Sequence, residues 1–323
     1  MPLLKHLATV VTALLAALVT VNVRYQPTLF FRHDALAPSE FKHRYGPWAV
    51  VAGASRGLGR EWVLQSARRG LNVLALARNA DELAKTKDVV RKAHPGVQVE
   101  VVVVDLANST RVLELARSVS REREVGLLIY NAAGGAPGEF ARHDRANHRH
   151  VLDVNILSMV DMVHAVVQPM IARGRGGVVI VSSFAGESGQ AMVSTYSASK
   201  AFQTNFAEAL WWELRPHGVD VLAPLLGPTS TDALRIFDEK ARRELLVEQT
   251  PEEVVSETMW ALGRGLPTLT TGLFNKVAWA AVRYLPVPFA LEVQNAAVAS
   301  AYKPLEELLA ITANNVKGGK GPA

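Results

Sequence analysis

The sequence of 323 residues contains no cysteine. This absence excludes disulfide frameworks, thiolate nucleophiles and zinc sites with cysteine ligands. Blocks of like charge are lacking as well, because 35 basic and 30 acidic residues are scattered along the chain and leave a formal net charge of +5. Such dispersed charge indicates an ordinary solvated surface, and we expect no nucleic-acid partner. Hydrophobic residues make up 49% of the chain, which is enough to bury a sizeable core.

One long run without charge lies near the N-terminus. Residues 7–23 form 17 uncharged positions between His6 and Arg24, which is the lower limit for crossing a hydrocarbon layer of about 30 Å. We favour a short membrane anchor, with a signal peptide or a buried or interfacial helix as alternatives. A signal peptide is disfavoured because no A-x-A-like cleavage site precedes Arg24. We therefore expect a membrane-associated protein whose remaining domain is cytoplasmic.

From residue 48 onward, short apolar segments alternate with amphipathic ones. Strands are predicted at residues 48–53, 72–76, 97–104, 126–130, 178–181 and 219–225, and helices at 58–69, 80–93, 109–121, 151–173, 195–215 and 254–262. The strands are nearly all apolar, as expected when helices cover both faces of a sheet. This βαβ repetition predicts an α/β protein with a doubly wound parallel sheet, the Rossmann fold.

The chain divides into three predicted parts. Residues 1–45 hold the apolar segment, expected to be helical, and a linker, residues 46–272 form the Rossmann-fold domain, and residues 273–323 form an apolar C-terminal extension. The extension has spaced cations and two prolines in its first part. A substrate-covering segment, a second membrane contact and ordinary packing all remain open for it.

The stretch VAGASRGLGR, residues 51–60, allows two interpretations. It contains G-x-S-x-G, the turn that presents a nucleophilic serine in α/β-hydrolases, here Ser55. It also contains Gly53, Gly57 and Gly59 at the start of a helix, where main-chain N–H groups can hold a dinucleotide pyrophosphate. The turn follows the first strand, so no upstream segment could supply a hydrolase oxyanion loop. Position favours the dinucleotide, and a serine hydrolase remains the alternative function.

Two arginines indicate which nucleotide binds. Arg78 follows the second strand, where an acid would hold the ribose of NAD, and Arg56 lies inside the glycine turn. Two guanidinium groups can pair with a 2′-phosphate, which predicts NADP(H). Asp105, at the end of the third strand, is placed to contact the adenine side, although a helix-capping role would also explain it.

Tyr196 and Lys200 supply candidate chemistry. Four residues apart, they share one helix face, and a nearby ammonium lowers the pKa of a phenol from about 10. Such a phenol can exchange a proton with an alcohol or ketone oxygen.

Together these motifs resemble the short-chain dehydrogenase/reductase family between about residues 48 and 262. The family's N-N-A-G strand end matches Tyr130-Asn131-Ala132-Ala133, and its catalytic asparagine, serine, tyrosine and lysine match Asn155, Ser183, Tyr196 and Lys200. The thirteen-residue interval from serine to tyrosine is also kept. The resemblance implies that Tyr196 protonates a ketone, Ser183 holds its oxygen, Lys200 lowers the tyrosine pKa and binds the nicotinamide ribose, and Asn155 positions a water. The cofactor residues implied are Gly53, Ser55, Arg56, Gly57, Leu58, Gly59, Arg78, Asp105, Leu106, Asn131, Ala132, Tyr196, Lys200 and Gly227.

The sequence departs from the family pattern at a few positions outside these four residues. Ala52 precedes the first glycine in place of a frequent threonine, Tyr130 and Ala133 alter N-N-A-G, and Leu226-Gly227 replaces Pro-Gly. The stretch RYGPWAVVAGAS after an apolar segment loosely resembles the membrane-associated branch of 17β-hydroxysteroid dehydrogenases and 3-ketoacyl-CoA reductases. That resemblance implies a lipophilic substrate such as a steroid, a retinoid or an acyl chain.

The resemblance also bears on the surroundings of the site. Residues 229–246 correspond to the family's substrate lid, where Leu234, Ile236 and Phe237 could line an apolar pocket or only pack the lid. Trp211-Trp212 suggests a homodimer interface or core packing. We expect no metal, because the histidines around residues 143–150 do not share one helical turn. A non-enzymatic membrane scaffold that keeps the fold is a second alternative.

Overall fold

The computed structural model describes residues 36–283 and 285–316. The predicted apolar helix in residues 7–23 lies outside this part of the chain. The strands of the described part are β1 Trp48–Ala52, β2 Asn72–Ala77, β3 Val99–Val103, β4 Val125–Tyr130, β5 Gly176–Ile180, β6 Ser182–Ser183, β7 Val219–Leu226 and β8 Thr268–Thr270. The α-helices are α1 Pro38–Tyr45, α2 Gly57–Arg68, α3 Ala80–Ala93, α4 Ser109–Glu122, α5 Arg145–Leu152, α6 Ser158–Arg173, α7 Ser194–Leu214, α8 Glu239–Leu245, α9 Pro251–Ala261, α10 Leu273–Arg283, α11 Val287–Ala299 and α12 Leu305–Val316.

The strands form one parallel sheet. Its order is β3-β2-β1-β4-β5-β7-β6, and β8 also pairs with β7. The chain runs outward from β1 to β3, and then crosses to β4 and continues to the other edge. This reversal defines a doubly wound sheet and confirms the predicted Rossmann fold.

Helices cover both faces of the sheet and form two cores. Successive residues of β1 point to opposite faces: Ala49 and Val51 join one core, and Val50 and Ala52 join the other. The first core contains side chains of α1, α2, α3 and α9, among them the fully buried Trp62. The second contains side chains of α4, α6 and α7. The near-continuous apolar strands follow from this double cover.

Local sequence signals explain several helix starts. Asn79 and Asn108 accept main-chain hydrogen bonds from Glu82 and Arg111, and so cap α3 and α4. Thr250 and Glu253 form a capping box with Pro251 as first helical residue. The helix predicted from residue 254 therefore begins three residues earlier.

The helix predicted at residues 151–173 is interrupted. The structure has α5, then a π-helical turn over Asp153–Leu157, then α6. The helical run Arg145–Arg173 is long and apolar enough to cross a membrane, but more than half of its most apolar window is buried in the fold. Its apolar character therefore follows from its packing against the sheet.

The C-terminal extension packs on the Rossmann-fold core. Helices α10, α11 and α12 follow β8, and α12 contacts α5. Residues just before α12 pair with the lid, since Asp238 N donates to Ala301 O at 2.8 Å and Lys303 N to Ile236 O at 3.0 Å. The rings of Phe237 and Tyr302 stack with centroids 4.9 Å apart. The extension is therefore part of the structure that surrounds the lid.

Candidate active site

The glycine turn between β1 and α2 is packed too closely for side chains at two of its glycines. Gly53 has φ +82°, and a Cβ there would lie 2.8 Å from Ala132 Cα. A Cβ on Gly59 would lie only 1.8 Å from Gly53 O, so glycine is required where the helix meets the strand end. The turn ends at the N-terminus of α2, which begins at Gly57. This close main-chain approach at a helix N-terminus fits a dinucleotide pyrophosphate.

Asn131 and Ala132 lie directly beneath this turn. Asn131 Nδ2 donates to Gly53 O at 3.1 Å, and Asn131 N donates to Ala52 O at 3.1 Å. The end of β4 thus supports the glycine turn through an amide side chain and the main chain.

Tyr130, which replaces the first asparagine of the family pattern, hydrogen-bonds the π-helical turn over Asp153–Leu157, called the π-turn below. The Ser158 N–H bonds Asp153 O, five residues back, so the Val154 carbonyl loses its usual donor four residues ahead. The buried Tyr130 hydroxyl donates to this Val154 oxygen at 2.5 Å. The departure at Tyr130 therefore stabilises the turn that carries Asn155.

Asn155 is fully buried and holds three elements together. Its Oδ1 accepts from Gly134 N at 2.6 Å, and its Nδ2 donates to Gly134 O at 3.0 Å and to Ser199 Oγ at 2.8 Å. Ser199 Oγ in turn donates to Tyr196 O at 2.7 Å. Asn155 therefore links the loop after β4 to the start of α7, the helix that carries Tyr196 and Lys200.

Ser183, Tyr196 and Lys200 lie together at the carboxyl ends of the central strands. Ser183 forms β6 with its neighbour, and its hydroxyl lies close enough to the Tyr196 phenol to lower the pKa of that phenol. Lys200 Nζ lies 5.5 Å from the centroid of the Tyr196 ring and donates to Val181 O at 2.7 Å. The structure thus brings together the serine, tyrosine and lysine that the sequence identified.

Burial controls the protonation of these groups. It raises the pKa of the Tyr196 phenol, while the Ser183 hydroxyl acts in the opposite direction. It lowers the pKa of Lys200 to about 7. The sequence-based expectation of a lowered Tyr196 pKa is therefore wrong for the protein alone. At neutral pH a lysine with this pKa carries only part of its charge, so desolvation of the phenol dominates.

The predicted cofactor residues surround this edge of the sheet. Arg56 Nη1 forms an ion pair with Asp232 Oδ2 of the lid at 2.9 Å, and both side chains are exposed. Arg78 and Asp105 lie close enough to His150 to affect its pKa, which is lowered first by burial and next by Arg78. Asp105 Oδ1 also accepts from Ala107 N at 3.0 Å. Arg56 lies in the glycine turn, and Arg78 follows the end of β2, where Leu76 O accepts from Gly53 N and Ala54 N of that turn. This placement fits a phosphorylated ribose beside the turn.

Gly227 lies on the opposite side of the site. A Cβ at this position would lie 2.1 Å from Asn275 Nδ2 of α10. Leu226 O accepts from Ser183 Oγ at 3.4 Å. The end of β7 and the residue after it therefore link Ser183 to the C-terminal extension.

Several residues that border the site were missed by sequence reasoning. Helix α11 contacts the loop after β6 through two amides: Ser188 Oγ donates to Gln294 Oε1, and Ala191 N donates to Asn295 Oδ1 at 2.8 Å. Burial raises the pKa of Tyr302, and the nearby Tyr196 phenol raises it further. The apolar pattern of the extension indicated packing but carried no signal for these polar contacts.

The remaining candidate residues are the histidines near residues 143–150 and Ser55. His148 Nδ1 bonds Thr195 Oγ1 at 2.8 Å, and His143 Nε2 lies 3.1 Å from Pro137 O. Within residues 36–283 and 285–316, no group of three acidic or histidine residues could hold a metal ion. Ser55 Oγ has no hydrogen-bonded histidine or carboxylate in that same part of the chain.

The amino-acid sequence is similar to a known protein family and to individual proteins within it. The profile described as short chain dehydrogenase matches residues 47–242. The chain is 31% identical over 262 residues to a very-long-chain 3-oxoacyl-CoA reductase of Aspergillus clavatus, covering 79% of this chain and 73% of that protein. It is 30% identical over 220 residues to one of Mycosarcoma maydis, covering 67% of this chain but only 61% of that protein.

Solved structures show the same fold. A structure from work on the stereoselectivity of a 7β-hydroxysteroid dehydrogenase superposes with a TM-score of 0.72 at 25% identity, covering 79% of this chain and 98% of that chain. A short-chain dehydrogenase from Sphingobium yanoikuyae in complex with NADPH superposes with a TM-score of 0.62 at 25% identity. The match covers 73% of this chain and 92% of that chain.

Proposed function

Because the chain belongs to the short chain dehydrogenase family of NAD(P)(H)-dependent oxidoreductases, we propose that it interconverts a ketone and a secondary alcohol with NADP(H). The observation that carries the proposal is the cluster of Ser183, Tyr196 and the buried Lys200 beside the glycine turn. Arg56 and Arg78 support NADP(H) over NAD(H), because guanidinium groups can pair with the 2′-phosphate.

A 3-oxoacyl thioester with a long acyl chain is the substrate we propose. The relatives named very-long-chain 3-oxoacyl-CoA reductases support this class, and the apolar Leu234, Ile236 and Phe237 of the lid would suit an acyl chain. The predicted alternatives, a steroid or a retinoid, share this lipophilic character.

The chain's own residues account for the proton transfer. In ketone reduction, the Tyr196 hydroxyl would donate its proton to the carbonyl oxygen while the Ser183 hydroxyl holds that oxygen by a hydrogen bond. Lys200 already donates to Val181 O, and a further N–H would bind a ribose hydroxyl and stabilise the tyrosinate that forms. The nicotinamide nucleotide supplies the hydride when bound. In alcohol oxidation Tyr196 would be the base.

The other predicted residues would hold the nucleotide and its surroundings. The glycine turn with Ser55, Leu58 and the start of α2 would bind the pyrophosphate. Asp105 and Leu106 would contact the adenine side, and Asn131, Ala132 and Gly227 the nicotinamide side. Asn155 is expected to position a water on the proton path in addition to its hydrogen bonds with Gly134 and Ser199.

We also propose that residues 7–23 attach the protein to a membrane, with the catalytic domain on the cytoplasmic side. Membrane attachment would give a long-chain thioester direct access to the site. The proposed homodimer would use α7, where Trp212 is 64% exposed. Flotation with vesicles and sedimentation velocity in detergent test these two points separately.

The function is tested on full-length protein in detergent. We expect tight NADPH binding, weaker NADH binding, and loss of the preference for NADPH in Arg78→Ala, with Arg91→Ala on α3 as the control. Turnover should favour 3-oxohexadecanoyl-CoA over 3-oxohexanoyl-CoA. NADPH binding without turnover of any ketone would support the scaffold alternative. Binding of neither nucleotide would contradict the proposal, and labelling of Ser55 by a fluorophosphonate would then be tested.

A further inference from the structure

Gln203 lies one helical turn after Lys200 on α7 and is fully buried. Its Oε1 accepts a hydrogen bond from Lys200 Nζ at 2.9 Å, and its Nε2 donates to the main-chain oxygen of Asn155 at 2.7 Å. These partners fix the orientation of the amide, because the reverse orientation would face an NH₂ group to an ammonium and an oxygen to a carbonyl. Gln203 therefore bridges two residues of the proposed catalytic group.

Gln203 accepts a hydrogen bond from a lysine whose positive charge has few other stabilising partners. Lys200 is 1% exposed, and burial lowers its pKa to about 7. Within residues 36–283 and 285–316 its hydrogen-bond acceptors are Val181 O and Gln203 Oε1, and it has no carboxylate partner there. Each neutral acceptor therefore contributes strongly to the stability of the ammonium form.

The other end of the bridge meets the π-turn. The Val154 and Asn155 carbonyls both accept side-chain donors, the first from Tyr130 and the second from Gln203. These two hydrogen bonds hold the π-turn to β4 and to α7. The position of Asn155 relative to Lys200 thus depends on the length and chemistry of the side chain at 203.

We propose that Gln203 is a positioning residue that holds the charged Lys200 side chain and the Asn155 carbonyl in register for the ketone–alcohol reaction. The inference rests on the proposed function, in which Lys200 supports Tyr196. A carboxamide neither gains nor loses a proton near neutral pH, so Gln203 acts by favouring the ammonium form and by fixing its place. Methionine, of similar length, would remove both hydrogen bonds, whereas glutamate would keep the acceptor for Lys200 and add a negative charge.

The direct test measures the ionisation of Lys200 without turnover. Nucleotide-free protein labelled with ¹³C at lysine Cε is titrated by NMR, with the Lys200 signal assigned by its loss in Lys200→Met. We expect Gln203→Met to lower the pKa of Lys200 by about one unit or more, because the ammonium loses a charge-assisted hydrogen bond. Gln203→Glu should raise it. Thr258→Val, which removes a buried hydrogen bond in α9, should leave it unchanged.

These opposite shifts distinguish the proposal from a purely structural role. Loss of packing alone would lower stability in both variants without moving the Lys200 titration in opposite directions. An unchanged Lys200 pKa in both variants overturns the proposal. If Gln203→Met does not fold, the titration of Gln203→Glu decides, and an unshifted value there overturns it.

A second readout uses oxidation of 3-hydroxyhexadecanoyl-CoA with NADP⁺. Here we expect the pH of half-maximal kcat to rise in Gln203→Met, because the phenolate of Tyr196 loses part of its cationic support. KM for the thioester should stay within about twofold, since Gln203 is buried away from it. A wild type that does not turn over this substrate would count against the proposed function, whereas the NMR titration would still decide the role of Gln203.

Discussion

The hydroxyl of Tyr196 is the group on which the proposed proton transfer depends. Tyr196→Phe removes it and keeps the ring, so we expect kcat for ketone reduction to fall about 100-fold or more. NADPH binding should stay within about twofold, because the glycine turn is untouched. Tyr45→Phe, at a buried tyrosine far from Ser183, serves as the control and should keep kcat. A Tyr196→Phe variant with wild-type kcat would show that another group donates the proton.

The lowered pKa of Lys200 predicts that the free energy of unfolding depends on pH. Its pKa is about 7 in the folded, nucleotide-free protein and about 10.4 in an unfolded chain. Between these values the unfolded state binds more protons, so stability rises with pH, by up to about 1.4 kcal/mol per pH unit from this group. Relative to Lys200→Met, the wild type should therefore gain unfolding free energy from pH 7 to 9.5 in urea titrations.

Lys92→Met, at an exposed position of α3, is the control and should leave this pH dependence intact. Parallel curves for wild type and Lys200→Met across the window would mean that Lys200 has an ordinary pKa in the fold.

Sequence patterns located some of these residues and not others. Tyr196 and Lys200 could be predicted because their four-residue spacing defines a helix face, and Ser183 because the family that the sequence resembles keeps thirteen residues between its serine and its tyrosine. The roles of Gln203 and of Tyr130, which the sequence shows only as a departure from the family pattern, could not be predicted, because each donates to a carbonyl of the π-turn. Which carbonyl accepts depends on three-dimensional placement that no spacing in the sequence records.

At the scale of elements, the lid is held by the glycine turn at one end and by the C-terminal extension at the other. Asp232 of the lid pairs with Arg56, and Asp238 and Phe237 contact the segment before α12. If Arg56 binds the 2′-phosphate as proposed, its ion pair with Asp232 would couple the position of the lid to nucleotide binding.

This coupling predicts the effect of Asp232→Asn. The substitution releases Arg56 from its carboxylate partner, so NADPH should bind about two- to fivefold more tightly, a modest gain because the ion pair is exposed. NADH, which lacks the 2′-phosphate, should bind as before. Isothermal titration of both nucleotides measures the effect, with Glu239→Gln as a control that breaks a different lid ion pair. Equal changes for both nucleotides would exclude Arg56 as a phosphate ligand.

The sequence predicts whether a segment is a helix or a strand more readily than where a helix is interrupted. The helix predicted at residues 151–173 was right in kind, and its apolar residues do face the sheet. The π-turn within it was missed, because the apolar pattern continues through Asp153–Leu157 almost unchanged. The pairing of residues 301–303 with the lid was also missed, since a pairing of three residues has no periodicity to detect.

At the scale of the whole molecule, the two ends of the parallel strands differ in role; we call them the carboxyl edge and the amino edge of the sheet. The carboxyl edge carries Ser183 and the glycine turn. At the amino edge, helix α1 is fastened to the start of β7: Arg44 Nε and Nη2 donate to the two Asp220 carboxylate oxygens at 2.9 and 3.0 Å, and the buried Tyr45 hydroxyl donates to Oδ2 at 2.8 Å. Helix α1 is thus held by hydrogen bonds between residues 175 or 176 positions apart in the sequence.

This arrangement predicts that stability and catalysis can be separated. Asp220→Asn replaces a carboxylate that accepts three donors with an amide that has one accepting oxygen, so we expect the free energy of unfolding to fall by about 1–3 kcal/mol. The strand ends that carry Ser183 lie about 20 Å away along β7, so kcat at a temperature where the variant is folded should be unchanged. Asp88→Asn, at an exposed position, should change neither quantity. A fall in kcat without loss of stability would contradict this division between the two edges, because it would require the amino edge to act on Ser183 through a fold that stays intact.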